Sequence, residues 1–272
     1  LSSSRVRRIH AVVHSALEQA VAWDLLMFNP ASKASPGRVD SPEIYTPEVE
    51  EVLDLMKAAD EQDPDFAAFL LLAAVTGARR GELCALRWND FDVEGAALRI
   101  ARAIALGLDG PVERQKPKTR SSVRTIALDA GTIAVLELHR ARCAERALGC
   151  GASLPKSAFI FSDEVDGSIP WRPDSTSRRF RVLRQKAGLD EGIHLHSLRH
   201  FVVTTLLSGG VELPEVAGRV GHAGGGKTTL AVYSHFRQAR DREAADLLGQ
   251  MLHHQAPRPR ASSKNLPPVH AG

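Results

Sequence analysis

The sequence offers little from which a covalent or metal-built framework could be made. Three cysteines, Cys84, Cys143 and Cys150, stand in 272 residues. They are too few and too scattered for a disulfide scaffold or a zinc site, and read as buried structural thiols in a reducing compartment, so a cytoplasmic location is expected. No run of about 18 apolar residues occurs, so no membrane span is expected. The opening LSSSRVRR lacks the apolar segment of a secretory signal. The chain also begins at Leu1 rather than Met, which fits a piece excised from something longer. Charge of one sign is scarce in the total: 35 Lys and Arg against 32 Asp and Glu leave a net +3, a weak argument for a nucleic-acid partner by itself. Tyrosine is rarer still, with only Tyr45 and Tyr233.

What is present suffices for a folded core, since 43% of the residues are hydrophobic. Residues 5–27 read as one amphipathic helix, with Val6, Ile9, Val13, Leu17, Ala20 and Val21 on one face. The stretch NPASKASPGRVDSPEIY reads as a linker, after which Thr46 as N-cap and Pro47 at the first position open a new helix. Residues 64–88 read as helical with a break at Thr76-Gly77. ALRIARAI and VRTIAL, flanking a loop with Gly107, Gly110 and Pro111, read as a small antiparallel sheet, which AFIF at 158–161 could join. Asp129 caps a helix to about Leu148. Further helices are expected near 173–187, 196–208, 213–220, 228–235 and 239–252, with a disordered tail over 253–272. The predicted class is mainly α with a small antiparallel β-sheet (α+β).

Arginine is distributed more tellingly than the total charge implies. It gathers at Arg5, Arg7 and Arg8, from Arg114 to Arg124, and from Arg172 to Lys186. Any one stretch is explained by a solvated helix face; several flanking the same chemistry suggest a phosphate track, with Arg80, Lys116, Arg120, Arg124, Arg178 and Arg179 as candidate DNA contacts. In TGARRGEL, Arg79 follows a Thr-Gly turn and opens a helix, where backbone amides also favour anions. Arg80 is its rival. In HSLRH, His196 and Arg199 are three residues apart on a helix and face the same way. A planar guanidinium holds two phosphate oxygens while staying charged. His194, His196 and His200 also raise a metal reading, but no third ligand of the metalloprotease kind is evident. GHAGGGKT, from Gly221 to Thr228 with Lys227, fits the P-loop pattern literally; a P-loop must follow a buried strand, and GVELPEVAGRV reads as a turn and a helix.

Taken in order, Arg79 in TGARRGEL, Lys118 in PKTRSSVRTIAL, His196 and Arg199 in HSLRH, His222 in VGHAG and Tyr233 in LAVYSHF resemble the catalytic domain of the tyrosine recombinases, the phage-integrase family. The resemblance covers roughly residues 45–250, and residues 1–28 resemble the last part of the family's core-binding domain, joined by a linker over 29–44 to a catalytic domain over 45–252. It implies the family's catalytic fold and transesterification through a 3′-phosphotyrosyl link. Tyr233 is then the nucleophile, Arg79 and Arg199 the clamp, His196 and His222 phosphate-facing groups, Glu82 a brace, and Lys118 the general acid on a β-hairpin, with Lys116 its competitor. No metal and no cofactor are implied. The implied partner is double-stranded DNA at a recombination site, with a homotetramer in the synaptic complex and a monomer in isolation. The apolar positions Ala244, Ala245, Leu247, Leu248, Met251 and Leu252 offer a surface for a neighbouring subunit. The same motifs also suit a relaxing topoisomerase of the IB kind or a DNA-binding relic. The P-loop reading is a third option, and the spacing between His222 and Tyr233 exceeds the family's usual gap.

Overall fold

A computed structural model describes residues 2–37, 45–107, 110–114 and 123–222. The chain divides into two compact units, residues 1–44 and 45–272.

In the first unit, helix α1 runs over Ser3–Ala22, ending earlier than its apolar periodicity suggests. Asp24 adopts φ 58°, its amide bonds the Val21 carbonyl at 3.0 Å and the Leu25 amide bonds the Ala20 carbonyl at 2.9 Å. This pair of bonds around a left-handed residue stops a helix. A 3-10 turn at Pro30–Lys33, within the expected linker, folds back on α1. Asn29 donates to the His14 carbonyl at 3.0 Å and to Glu18 at 2.6 Å, and the His10 ring lies 3.1 Å from the Ala31 carbonyl oxygen. The predicted apolar face is present, yet Val6, Ile9 and Val13 stay exposed.

The second unit is built around one largely buried helix. Helix α2 covers Val49–Gln62 and starts later than the Thr46 cap predicts, because the Glu51 carboxylate reaches back to the Glu48 amide at 2.9 Å. Helix α3, Pro64–Thr76, is capped by Asp63, whose carboxylate accepts from the Phe66 amide at 3.0 Å. Phe66, Phe69, Leu70 and Leu72 on it are all buried; each such side chain contributes about 1.5–3 kcal/mol of transfer free energy. Gly77 ends α3 at φ 60°, and a Cβ there would also meet Val220 Cγ1 at 2.8 Å. The expected second half of this helix shrinks to α4, Arg80–Cys84.

Two small antiparallel sheets replace the single predicted one, since ALRIARAI divides at 101–102. Strands β1 (Phe91–Asp92), β2 (Ala97–Ile100) and β5 (Arg124–Ala127) form the first, in the order β1-β2-β5, with Leu98 opposite Ile126. Strands β3 (Ala103–Gly107) and β4 (Gly110–Arg114) form a separate hairpin. The AFIF run joins neither sheet: the Ile160 amide bonds the Leu86 carbonyl at 2.9 Å and the Trp88 amide bonds the Ala158 carbonyl at 3.1 Å. Helices α5 (Ala130–Gly149), α6 (Pro173–Lys186), α7 (Ser197–Ser208) and α8 (Leu213–Val220) complete the described part, close to their predicted spans. The class is mainly α with small antiparallel sheets, as expected. The helices expected near 228–235 and 239–252, and the tail, lie outside the described residues. Of the cysteines, Cys84 is buried as expected, whereas Cys143 is half-buried and Cys150, in the turn after α5, is exposed.

Candidate active site

Helices α7 and α8 pair through a compact apolar cluster of Val202, Val203, Leu207, Val216 and Val220. This packing brings the last turn of α8 against Gly77, at the end of α3. A helix leaves its final carbonyls without internal partners, and here arginines take three in succession. The Arg219 carbonyl accepts from Arg124 Nε at 2.7 Å, that of Val220 from Arg199 Nη1 at 2.5 Å, and that of Gly221 from Arg79 Nη2 at 3.2 Å. The negative end of the helix dipole reinforces each contact. Gly221 takes the left-handed conformation at φ 68° and hands the chain to His222.

Arg79 precedes the first turn of α4. Glu82 joins it twice, accepting the Arg79 amide at 2.9 Å on one oxygen and Arg79 Nη1 at 3.0 Å on the other. The oxygen that accepts the amide also takes Arg124 Nη2 at 2.8 Å. Burial would raise the Glu82 pKa, but the hydrogen bond and charge of Arg124, then Arg79, hold it below the usual carboxylate range. Arg199 Nη1 also donates to the Gly77 carbonyl at 2.6 Å. Its Nη2 is buried with no hydrogen-bond partner among the described residues. A charged group so placed is unusual unless a ligand completes it. Desolvation, followed by the neighbouring Arg79, pushes the Arg199 guanidinium down from its ordinary value.

Three imidazoles share this positive field. His196 stands just before α7, and its ring meets His200 edge-on at 4.9 Å between centroids. Burial, then the charges of Arg199 and Arg79, lower His196. Burial, then His196 and Arg199, push His200 down to about 4. His222 falls to about 4 through burial and the charges of Arg199 and Arg79. All three are therefore neutral at pH 7, each with one N–H donor and one lone pair. An open cavity of about 750 Å³ borders the cluster, lined by Arg79, Arg80, Ser177, Arg181, His194 and His196 among others. Among the described residues no group of His, Cys, Asp and Glu is arranged to hold a metal ion.

The sequence-derived candidates thus divide. Arg79, Glu82, His196, Arg199 and His222 are brought together. Arg80, the rival of Arg79, turns to Ser177 instead. Arg124 is not a surface contact: its side chain is 7% exposed and belongs to the inner network. Arg179 is engaged elsewhere, over the Trp171 ring at 4.3 Å and paired with Asp163 at 2.8 Å. Arg178 is exposed on α6. Lys116, Lys118, Arg120 and Tyr233 lie outside the described residues. His200 was missed as a member of the cluster, although its i, i+4 relation to His196 was visible; the metal reading absorbed it.

In this mainly helical domain, arginines from three separate elements converge with histidines on the end of α8. The chain belongs to the phage integrase family, whose model matches residues 46–240. It is similar to the ICEBs1 integrase of Bacillus subtilis, 28% identical over 93% of this chain and 67% of that protein. It is also similar to a tyrosine recombinase XerC-like protein of Caldanaerobacter subterraneus, 27% identical over 92% of this chain and 67% of that protein, and to an integrase of Streptomyces ambofaciens, 28% identical over 82% of this chain and 58% of that protein. The chain therefore spans 58–67% of the length of these relatives. Its fold is similar to that of the Tn1549 transposon integrase in complex with a circular intermediate DNA, with a TM-score of 0.73 at 19% identity, covering 90% of this chain and 80% of that one. A lambda integrase dimer bound to a COC′ core site matches with a TM-score of 0.56 at 19% identity, covering 82% of this chain and 73% of that one.

Proposed function

We propose that the chain is the catalytic part of a site-specific DNA recombinase, an integrase that cuts and rejoins strands through a 3′-phosphotyrosyl intermediate. The observation that carries this reading is the convergence of Arg79 and Arg199 beside neutral His196 and His222, with one Arg199 nitrogen buried and without a partner among the described residues. A phosphodiester supplies what that arrangement lacks: negative oxygens to accept from both guanidiniums.

In this reading the Tyr233 oxygen attacks phosphorus, forming the O–P bond as the bond from phosphorus to the 5′ oxygen breaks. Arg79 and Arg199 neutralise charge on the non-bridging oxygens, a contribution of about 10²–10³-fold for each donor in comparable sites. A neutral imidazole, His196 or His222, is suited to receive the phenol proton or to donate to the phosphate. Lys118 gives a proton to the departing 5′ oxygen, with Lys116 as the alternative donor. The 5′ hydroxyl of a partner strand then reverses the step. Double-stranded DNA is the substrate in the cytoplasm, and four copies assemble on paired sites. A IB-type topoisomerase uses the same chemistry; sedimentation of the chain on its site separates the two, because strand exchange needs a tetramer. The P-loop reading loses its footing in helix α8, since the residues before Gly221 form a helix where that motif needs a strand.

The test is Tyr233→Phe. The variant loses all covalent attachment to a nicked duplex drawn from the DNA flanking the chain's own gene, while duplex affinity is kept. Covalent complex at full strength in that variant rejects the assignment.

A further inference from the structure

Resting on that reading, we infer that Arg124 is a positioning residue of the reaction and not a DNA contact: its guanidinium aligns Arg79 through Glu82, and His222 through the last turn of α8. Three observations support this. The first is the bridge. Arg124 Nη2 donates to the Glu82 oxygen that also accepts the Arg79 amide, at 2.8 and 2.9 Å, while the other Glu82 oxygen holds Arg79 Nη1 at 3.0 Å. The second is the row of carbonyls. Arg124 Nε holds the Arg219 carbonyl at 2.7 Å, next to the carbonyls of Val220 and Gly221 that Arg199 and Arg79 hold. One planar group thus ties strand β5 both to the carboxylate under the clamp and to the turn that presents His222. The third is access. The Arg124 side chain is 7% exposed, against 45% for Arg79, and a Cβ on Gly221 would lie 2.7 Å from Arg124 Nη1. Glycine at 221 leaves room for the guanidinium against the backbone, and little of it faces solvent where DNA would lie.

Lysine cannot copy this geometry. Its ammonium is a point charge on a flexible stem, whereas the Arg124 fork addresses a carboxylate and a carbonyl at fixed angles. Misplacement of a reacting group by about 1 Å costs on the order of 10²-fold in rate, so Arg124→Lys and Arg124→Met both lower cleavage by about that factor.

The experiment uses the whole chain and nicked duplexes tiled across the DNA that flanks its gene. Covalent complex formation is measured on an ordinary phosphodiester and on a methylphosphonate at the scissile position, a linkage with one fewer negative charge. Duplex affinity is measured across a salt series. Both variants are expected to bind with the wild-type salt dependence and to cleave the phosphodiester about 10²-fold more slowly. The deficit is expected to shrink at least tenfold on the methylphosphonate, because a displaced Arg79 matters less when there is less charge to neutralise. An equal deficit on both linkages assigns Arg124 a general structural role and overturns the inference. So does a salt slope lowered by about one, which marks a lost phosphate contact. Full activity of Arg124→Lys overturns it as well, since charge alone would then suffice. Failure of the wild-type chain to form any covalent complex rejects the recombinase reading itself, a result distinct from all of these.

Discussion

The second unit holds two clusters of arginine and histidine, each around one carboxylate, in which the histidines are shifted in opposite directions. At the candidate active site, Glu82 bonds Arg79 and Arg124, Arg199 stands beside them on backbone carbonyls, and burial together with these charges lowers His196, His200 and His222. In the core between α3 and α5, Asp65 accepts from His139 at 3.0 Å, Arg142 at 3.2 Å and Arg146 at 2.5 Å. The second His139 nitrogen bonds the Ile160 carbonyl at 2.8 Å. Burial would lower this histidine, but Asp65 and Cys143 raise it to about 9, so both ring nitrogens carry protons at pH 7. The same residue types therefore serve different ends. The core cluster is closed around its carboxylate and holds elements together. The site cluster instead buries an Arg199 nitrogen that has no hydrogen-bond partner among the described residues; in the proposed reading a phosphate supplies that partner, the kind of preorganised stabilisation electrostatic catalysis needs.

Breaking each cluster at its centre separates the two roles most sharply. Arg199→Gln lowers covalent complex formation by about 10²–10³-fold, while Arg146→Gln leaves it unchanged; single-turnover cleavage of a nicked duplex measures both. Equal loss in the two variants would remove the distinction. Asp65→Asn takes the carboxylate from the buried His139 ring, while Arg142 and Arg146 stay partly in solvent, and costs about 1–3 kcal/mol of stability, the range for a buried hydrogen-bonding group left without its partner. Urea denaturation at pH 7 reads this, and an unchanged midpoint with an unchanged m-value contradicts it.

The pH dependence of stability has two limbs of opposite sign. His139 binds its proton more tightly folded than unfolded, so its contribution is complete below about 6.5 and is lost as pH rises through about 9. His200 and His222 bind protons less tightly folded, so their contribution is complete above about 6.5 and is lost as pH falls toward about 4. His139→Gln flattens the alkaline limb and spares the acidic one, as seen in denaturation midpoints from pH 5 to 10; an alkaline limb that persists in this variant assigns it to another group. The smallest effect is a proton linkage. Burial, then the charges of Arg199 and Arg79, depress His196 and His222; a bound phosphate offsets those charges, and DNA binding at pH 6 is expected to take up protons. Calorimetry in two buffers of different ionisation enthalpy detects this, and zero uptake would mean that these rings do not face the phosphate.

Much of the active-site cluster was legible in the sequence because its members carry spacing that chemistry explains. His196 and Arg199 lie three apart at the start of a helix, and Arg79 follows a Thr-Gly break that the structure reproduces as the left-handed end of α3. Helices α5 to α8 were legible from caps and punctuation such as Asp129 and Gly209-Gly210. The core cluster was not. Asp65, His139 and Ile160 are distant in sequence, and no local pattern links a helix-start aspartate to a histidine on another helix. Arg124 misled for a related reason: its neighbours in the arginine-rich stretch suggest a surface, and only the tertiary placement of Glu82 and Arg219 turns it inward. The run AFIF did not join the small sheet as expected; its partner is Leu86 to Trp88, which reads as part of a continuing helix.

The most direct trial of the central claim is the chemical identity of the DNA–protein bond. A nicked duplex that cleaves and cannot religate is incubated with the wild-type chain, the adduct is digested, and the modified peptide is sequenced by mass spectrometry. The account predicts DNA joined by a 3′-phosphate to Tyr233. A 5′-phosphate linkage, or attachment to any other side chain, would contradict it.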